Sequence, residues 1–389
     1  MKLSIIILTK DRPQLLEKSL KYIKLSASYF DEIIVSDTST IHKFHNLEIS
    51  QKSQIHNLKY IERPSKFSAV QHWNEAIVFA SGDFVFCLTD KMILIPGVME
   101  NIKSVLIQNE PDVLNWSAIN CSFLESDKIL STQTILSRTL NTSENHDEYN
   151  SIEILMLKAE AKIHRADMSP HYYASGKICF GGYSRALIDK MISKTGSVCS
   201  GATHDYSAMV KALCLSNKSI EIKTPAILHI NLPVWESTGG RITSSSKYAH
   251  EYIQTLHEKQ KILEGMLIPN LYTSVSNLVS YDYKMNLKFS NIQINLDSYN
   301  WFINIYRDLS SNQLVWESNA VKREQFLTYY KYIWGNLPAR TFYKILFVNF
   351  KSKVMRFKTS LIVNFKSKLK LLMAEYLNDK NIKDIIETK

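Results

Sequence analysis

The sequence predicts an α/β fold, in which a mixed, mostly parallel sheet is flanked by helices and followed by a mainly helical C-terminal region. Three observations carry this. Continuous apolar runs of strand length recur through residues 1–110, stretches with helical spacing separate them, and a polar cluster closes the runs. A strand buried on both faces reads as an unbroken apolar run. Strand–helix–strand order at this spacing calls for parallel strands joined by right-handed crossovers.

The elements follow in order. Leu3–Leu8 is the first buried strand. Pro13 suits the first turn of a helix, with Leu15, Leu16, Leu20 and Ile23 on one side. Glu32–Asp37 is the second strand and runs into S-D-T-S-T; Leu58–Glu62 is a short third. Ser68–Ala80 reads as a helix and Phe84–Leu88 as the fourth strand. Residues 111–245 mix short strands, loops and helices, and the polar stretch Ser143–Asn150 reads as a surface loop. From 246 onward helical composition takes over, in His250–Gly265, in the aromatic-rich Phe326–Trp334 and in Tyr343–Leu377, whose one side is basic. Within the last, V-N-F-K-S-K at 348–353 returns at 363–368. That offset is close to four helical turns, so both copies present one face. The expected division is a domain over 1–245, with halves meeting near 110, and a helical region over 246–389.

Composition narrows the classes. The chain has 389 residues, 45% hydrophobic and 22% charged, which describes a globular protein with room for a second unit. Net charge is +10, and Phe342–Lys370 carries Lys and Arg without a single acid. Such a face suits peripheral contact with an anionic membrane or an interface between the subunits of an oligomer. Nucleic acid is not expected, because no recognised binding module accompanies the charge. Five cysteines without C-x-x-C spacing argue against zinc and a disulfide framework and for a reducing compartment. The apolar start is interrupted by Lys10 and lacks a small-residue cleavage site, so it reads as a strand rather than a signal peptide. No uninterrupted apolar stretch reaches the ~18 residues of a spanning helix. A cytoplasmic location, at or near the inner face of the plasma membrane, is expected.

In open parallel sheets ligands sit at the carboxyl ends of the strands. The clusters T-K-D-R, S-D-T-S and T-D-K fall there. Taken together, SIIILTKDRP, EIIVSDTST and HWNEAIVFASGDFVFCLTDKMILIPG resemble the inverting family 2 glycosyltransferases of GT-A (Rossmann-like) fold. The resemblance covers about residues 3–110 well and 175–235 loosely, and it does not reach the last 140. It implies a nucleotide-sugar donor held by Thr9, Asp11 and Arg12 after the first strand and by Asp37 and Ser39 after the second. Lys66, Asn74, Asp90, Lys91 and Arg241 complete the implied donor set. Thr9 and Asp11 can reach a base or ribose edge, and Asp37 can accept from a base N–H. Either aspartate can instead cap a helix.

In the family the turn after the fourth strand carries acids that hold Mg²⁺ or Mn²⁺, which favour hard oxygen ligands. Here it reads Thr89-Asp90-Lys91, with lysine where the usual metal-binding acid stands. Three readings stay open: Asp90 and His229 hold the cation, the Lys91 ammonium neutralises phosphate directly, or Lys91 points to solvent.

Inverting transfer needs a general base at the acceptor hydroxyl and stabilisation of the departing nucleoside diphosphate. Gly201-Ala202-Thr203-His204-Asp205 matches the acid pair that opens a helix in the family. Asp205 is the implied base, for which a modestly raised pKa would suit, and His204 would orient it or titrate itself; a helix cap is the alternative for Asp205. Gly181 and Gly182 in K-I-C-F-G-G-Y would let backbone approach an acceptor sugar, and Trp235 with Gly239-Gly240-Arg241 reads as a lid. The activity implied is sugar transfer from a nucleoside-diphosphate sugar to a glycan acceptor, lipid-linked, in bacterial surface polysaccharide synthesis. One rival is a nucleotidyltransferase, for which the glycine-rich loop after the first strand is missing. The other is a nucleotide-sugar-binding or scaffolding protein without catalysis, suggested by the missing acid.

Overall fold

The computed structural model describes residues 1–131, 146–163, 173–232, 238–310 and 320–336. Trp235 and the basic repeat segment lie outside the described residues. Met1–Asn336 forms one compact unit built on a nine-stranded sheet.

Its strands are β1 (Leu3–Thr9), β2 (Glu32–Asp37), β3 (Leu58–Glu62), β4 (Phe84–Thr89), β5 (Met92–Leu94), β6 (Val113–Cys121), β7 (His146–Tyr149), β8 (Gly181–Ser184) and β9 (Ser219–Ile230). The order is β3-β2-β1-β4-β8-β6-β9-β5, with β7 also pairing β9. The first four strands are parallel, as expected. Every residue of β1 and β2 is buried, which is what their unbroken apolar runs require. Beyond β4 the sheet turns mixed: β8 is antiparallel to both β4 and β6, whereas β6 and β9 run parallel.

The helices of the first half are α1 (Pro13–Ile23), α2 (Lys43–Lys52) and α3 (Ala69–Phe79). Pro13 opens α1, which buries Leu15, Leu16, Leu20 and Ile23. A reciprocal capping box starts α3: Gln71 N–H donates to Ser68 Oγ (3.2 Å), and Ser68 N–H donates to Gln71 Oε1 (3.0 Å). Next come α4 (Val98–Asn109), α5 (Phe123–Ser131), α6 (Ser151–Ala159), α7 (Arg185–Thr195) and α8 (His204–Leu215).

One expectation is corrected here. His146–Tyr149, read as surface loop, is a strand antiparallel to the first part of β9. An edge strand needs pairing on one side only and tolerates polar residues, so H-D-E-Y gives no apolar signal.

The region after 245 is helical among the described residues: α9 (Thr238–Ser244) leads to α10 (Ser246–Thr255), α11 (Lys259–Gly265), α12 (Val275–Asn286), α13 (Ser298–Ser310) and α14 (Ala320–Asn336). It packs on α8 through a cluster in which Val210, Leu213 and Cys214 meet Val279, Tyr283 and Trp301. The expected boundary after residue 245 therefore falls inside the compact unit. No helix among the described residues is long and apolar enough to cross a membrane.

Candidate active site

A cleft of about 1880 Å³ opens at the carboxyl ends of β1 and β4; Arg12, Lys91, His204, Asp205, His229 and Arg241 are among its lining residues. The three strand-tip carboxylates expected to meet the ligand do gather nearby, but each is turned to a structural task. Asp37 is buried; its Oδ1 accepts from Ser39 N–H (2.7 Å) and its Oδ2 from Tyr60 Oη (2.6 Å) and Asn46 Nδ2 (2.9 Å). It does not line the cleft. Asp11 adopts a left-handed backbone (φ 53°), and its Oδ1 accepts from Thr40, Ile41 and His42 N–H at 2.8–3.1 Å. The capping alternative does not hold for Asp11: α1 has no side-chain cap, and the three N–H groups belong to the turn that precedes α2. Burial alone would raise its pKa, and those three donors outweigh it and hold the carboxyl below its ordinary value.

Asp90 is wholly buried. Thr9 Oγ1 donates to its Oδ2 (2.8 Å), and the Arg12 guanidinium lies 3.0 Å from its Oδ1. Burial pushes its pKa up, against the pull of Arg12 and then Thr9. Beside it, Lys91 lines the cleft with its main chain pinned to β9, Ile230 N–H donating to Lys91 O (2.9 Å). Its ammonium has no hydrogen bond or ion pair to a described residue. Burial and then Arg12 hold its pKa below the ordinary value.

These residues do not fit a divalent cation. No group of three or more His, Cys, Asp and Glu side chains among the described residues could hold one. Asp90 Oδ2 accepts from Thr9, Oδ1 is ion-paired with Arg12 without a hydrogen bond, and Asp90 is not on the cleft wall. His229 Nδ1 faces Asn120 Oδ1 (3.0 Å), and burial and then Lys91 push its pKa down to about 4. A doubly charged ion about 4 Å from an ammonium would meet repulsion of roughly 8 kcal/mol at an effective dielectric of about 20. Of the open readings, the one in which Asp90 and His229 hold Mg²⁺ or Mn²⁺ is the one these residues fit least.

Across the cleft stands Asp205, in the first turn of α8 and partly exposed. Its Oδ2 lies 3.4 Å from Lys177 Nζ. Lys177 is fully buried, with its ammonium 3.8 Å from the ring centres of both Tyr173 and Tyr206. Burial would lower the Lys177 pKa, but the two tyrosines and Asp205 outweigh it and hold it above the ordinary value. Burial would likewise raise Asp205, but Lys177 and then His204 hold its carboxyl below the ordinary value. This corrects the expectation of a modestly raised pKa. His204 stacks on Trp73 with ring centres 4.6 Å apart, and burial, aided by Lys177 and Lys91 and opposed by Asp205, lowers its pKa. It is therefore neutral at pH 7. Asp205 does not cap α8: the N-cap is Thr203, without a side-chain capping bond.

The loop before Asp205 is clamped from both sides. The Asn74 side chain bridges the Cys199 backbone, donating to Cys199 O (2.6 Å) and accepting from Cys199 N–H (2.8 Å). Asp282 of α12 accepts from Ala202 N–H (2.8 Å) and Thr203 N–H (2.7 Å) and from Thr203 Oγ1. A Cβ on Gly201 would collide with Asp282, and Gly201 also has φ 68°, so glycine is required there.

Several expected ligand contacts are thereby reassigned. Asn74 holds the loop instead of the donor. Ser39 is buried and accepts from Asp11 N–H (2.6 Å) and Asn46 Nδ2 (3.0 Å). Lys66 is exposed and outside the cleft. Gly181 and Gly182 are buried in β8, where a Cβ would strike Leu114 O from Gly181 and come within 2.6 Å of Val85 O from Gly182, so they serve strand packing. Thr9, Asp11, Arg12, Lys91, His204, Asp205, His229 and Arg241 are the expected residues on the wall, Arg241 resting over the Tyr248 ring at 3.6 Å. Sequence reasoning missed Lys177, Tyr173, Tyr206 and Asp282. The one available signal was a lysine at the head of the apolar run I-C-F.

Residues 4–157 match the family described as Glycosyl transferase family 2. The match covers that stretch alone. The chain's strand order and mixed sheet are those of the GT-A fold, and the family 2 match takes in Arg12, Asp90 and Lys91 but ends before Lys177 and Asp205. No curated protein matches the sequence. Among solved structures, the chain is similar to S. aureus TarS 1–349 in complex with UDP-GlcNAc, at 13% identity over 80% of this chain and 81% of that one, TM-score 0.44. It is also similar to the mannosyltransferase PcManGT from Pyrobaculum calidifontis in complex with GDP-Man and Mn²⁺, at 12% identity over 92% and 87%, TM-score 0.41. A third is glucosyl-3-phosphoglycerate synthase from Mycobacterium tuberculosis with Mn²⁺, UDP and glucosyl-3-phosphoglycerate, at 12% identity over 64% and 79%, TM-score 0.38.

Proposed function

We propose that this glycosyltransferase moves a sugar from a nucleoside-diphosphate sugar to a hydroxyl of a glycan acceptor with inversion, Asp205 acting as general base. The observation that carries this is one cleft holding a carboxylate kept ionised by a buried lysine and, on its donor side, the cations Arg12 and Lys91. Asp205 accepts the acceptor hydroxyl proton as that oxygen attacks the anomeric carbon. The bond from that carbon to the diphosphate breaks, and the nucleoside diphosphate leaves with the electron pair, its charge met by the cations. Neutral His204, stacked on Trp73, keeps the first turn of α8 in place.

The setting we propose is the cytoplasmic side of a membrane, with a lipid-linked acceptor of bacterial surface polysaccharide synthesis. The basic stretch Phe342–Lys370 and the five free, buried cysteines support that setting. The test is nucleoside diphosphate release from a panel of nucleotide sugars, with and without glycan-lipid extract. Acceptor-dependent release with one donor supports the reading. Absence of release with every donor favours a binding or scaffolding protein.

A further inference from the structure

We infer that the donor diphosphate is neutralised by Lys91 and Arg12 without a divalent ion, Asp90 serving as the buried counter-ion that aims Arg12. This rests on the donor-cleft reading above. Three observations support it. Lys91 stands on the cleft wall with an ammonium that no described residue engages by hydrogen bond or ion pair. Arg12 is also on the wall, tied at 3.0 Å to a carboxylate that is itself fully buried. That carboxylate accepts from Thr9 Oγ1 at 2.8 Å and is not among the residues that line the cleft.

Charge counting agrees. Two carboxylates loaded with a divalent ion sum to zero, and the turn residues Asp90 and Lys91 also sum to zero with no ion added. The turn thus meets a dianionic diphosphate with the net charge that a metal-loaded turn would have, and Arg12 adds one positive charge. Its two cations differ in use. The planar guanidinium of Arg12 has donors left for phosphate after pairing with Asp90, while Lys91 acts as a compact point charge.

The experiment is calorimetric binding of UDP and GDP to the intact chain, in EDTA and in Mn²⁺, for the native protein and for Lys91→Met, Lys91→Arg and Lys91→Asp. Native affinity for the nucleotide that binds should agree within about twofold between EDTA and Mn²⁺. Lys91→Met should weaken it at least ~10-fold in both media, the loss of a charged hydrogen bond. Lys91→Arg should stay within a fewfold of native. Lys91→Asp should lose binding in EDTA. Melting points of all variants close to native would establish that they fold. Native binding abolished by EDTA and restored by Mn²⁺ would overturn the inference while leaving the donor reading intact. Native-like affinity of Lys91→Met would overturn it too. Failure of both nucleotides to bind in either medium would overturn the donor reading and this inference with it.

Discussion

The two sides of the cleft, proposed above for donor and for acceptor, use charge in opposite ways. On the first side the carboxylates Asp37 and Asp90 are buried off the wall, Asp11 lies on the wall with its Oδ1 taken up by three backbone N–H groups, and the cations Arg12 and Lys91 line the cavity. On the second side the cation Lys177 is buried and the carboxylate Asp205 faces the cavity. An ion of one sign is thus held in protein so that its partner can be aimed at ligand. Buried charge is tolerable only when it is paired or hydrogen-bonded: Asp90 has Arg12 at 3.0 Å, Lys177 has Asp205 at 3.4 Å, and Asp37 is held by three neutral donors.

The contrast breaks most visibly at Asp205. Asp205→Asn should lower turnover at least ~100-fold while leaving donor-induced thermal stabilisation in place. Comparable turnover in this variant would remove Asp205 from the chemistry. A purely scaffolding carboxylate behaves differently. Glu32, at the far end of β2, accepts from Ser4 Oγ (2.6 Å), Lys59 Nζ (2.8 Å) and Ser81 N–H (2.5 Å). Burial would raise its pKa, but those bonds, Lys59 first, lower it from 4.5 to about 2. Its contribution is therefore fully present above pH 4.5 and is lost as pH falls towards 2. Glu32→Gln should cost about 3 kcal/mol at pH 7 and little at pH 2, read by denaturant titration at both values.

Asp282→Asn probes the clamp behind the base. An amide cannot accept at both former oxygens, so a backbone N–H of Ala202 or Thr203 loses its acceptor, at about 1–3 kcal/mol of stability. Turnover should fall with it, since Asp205 follows directly on that loop. The smallest expected effect is the most specific. Lys177→Met removes the charge that holds the Asp205 pKa down, so the acid limb of kcat/KM should move up in pH. At a pH below the new limb the loss is about tenfold for each unit of movement. A structural role alone would lower activity evenly across pH.

How much of this the sequence revealed follows from the reach of each interaction. The first strands were legible because burial on both faces leaves an apolar run, as Ile5, Ile6 and Ile7 show. The strand β7 was not, because an edge position asks for no such run. Asp37 was legible as a strand-tip carboxylate, but its task was hidden. Asn46 and Tyr60, which saturate it, come from α2 and β3, and nothing local to S-D-T-S-T indicates them. Lys177 was overlooked for the same reason, since Tyr206 and Asp205 reach it from another element. The Gly181-Gly182 pair was noticed correctly as a site of close approach, but the approaching atoms belong to β4 and β6 rather than to a sugar.

The most direct test sets Asp37→Asn beside Lys91→Met and measures, for each, the melting point and the affinity for UDP and GDP. Inward carboxylates and cleft-facing cations predict a split result. Asp37→Asn should melt at lower temperature with nucleotide affinity unchanged, and Lys91→Met should melt as the native protein does with affinity reduced at least ~10-fold. The reverse pattern, with Asp37→Asn stable but unable to bind nucleotide and Lys91→Met binding normally, would contradict the account.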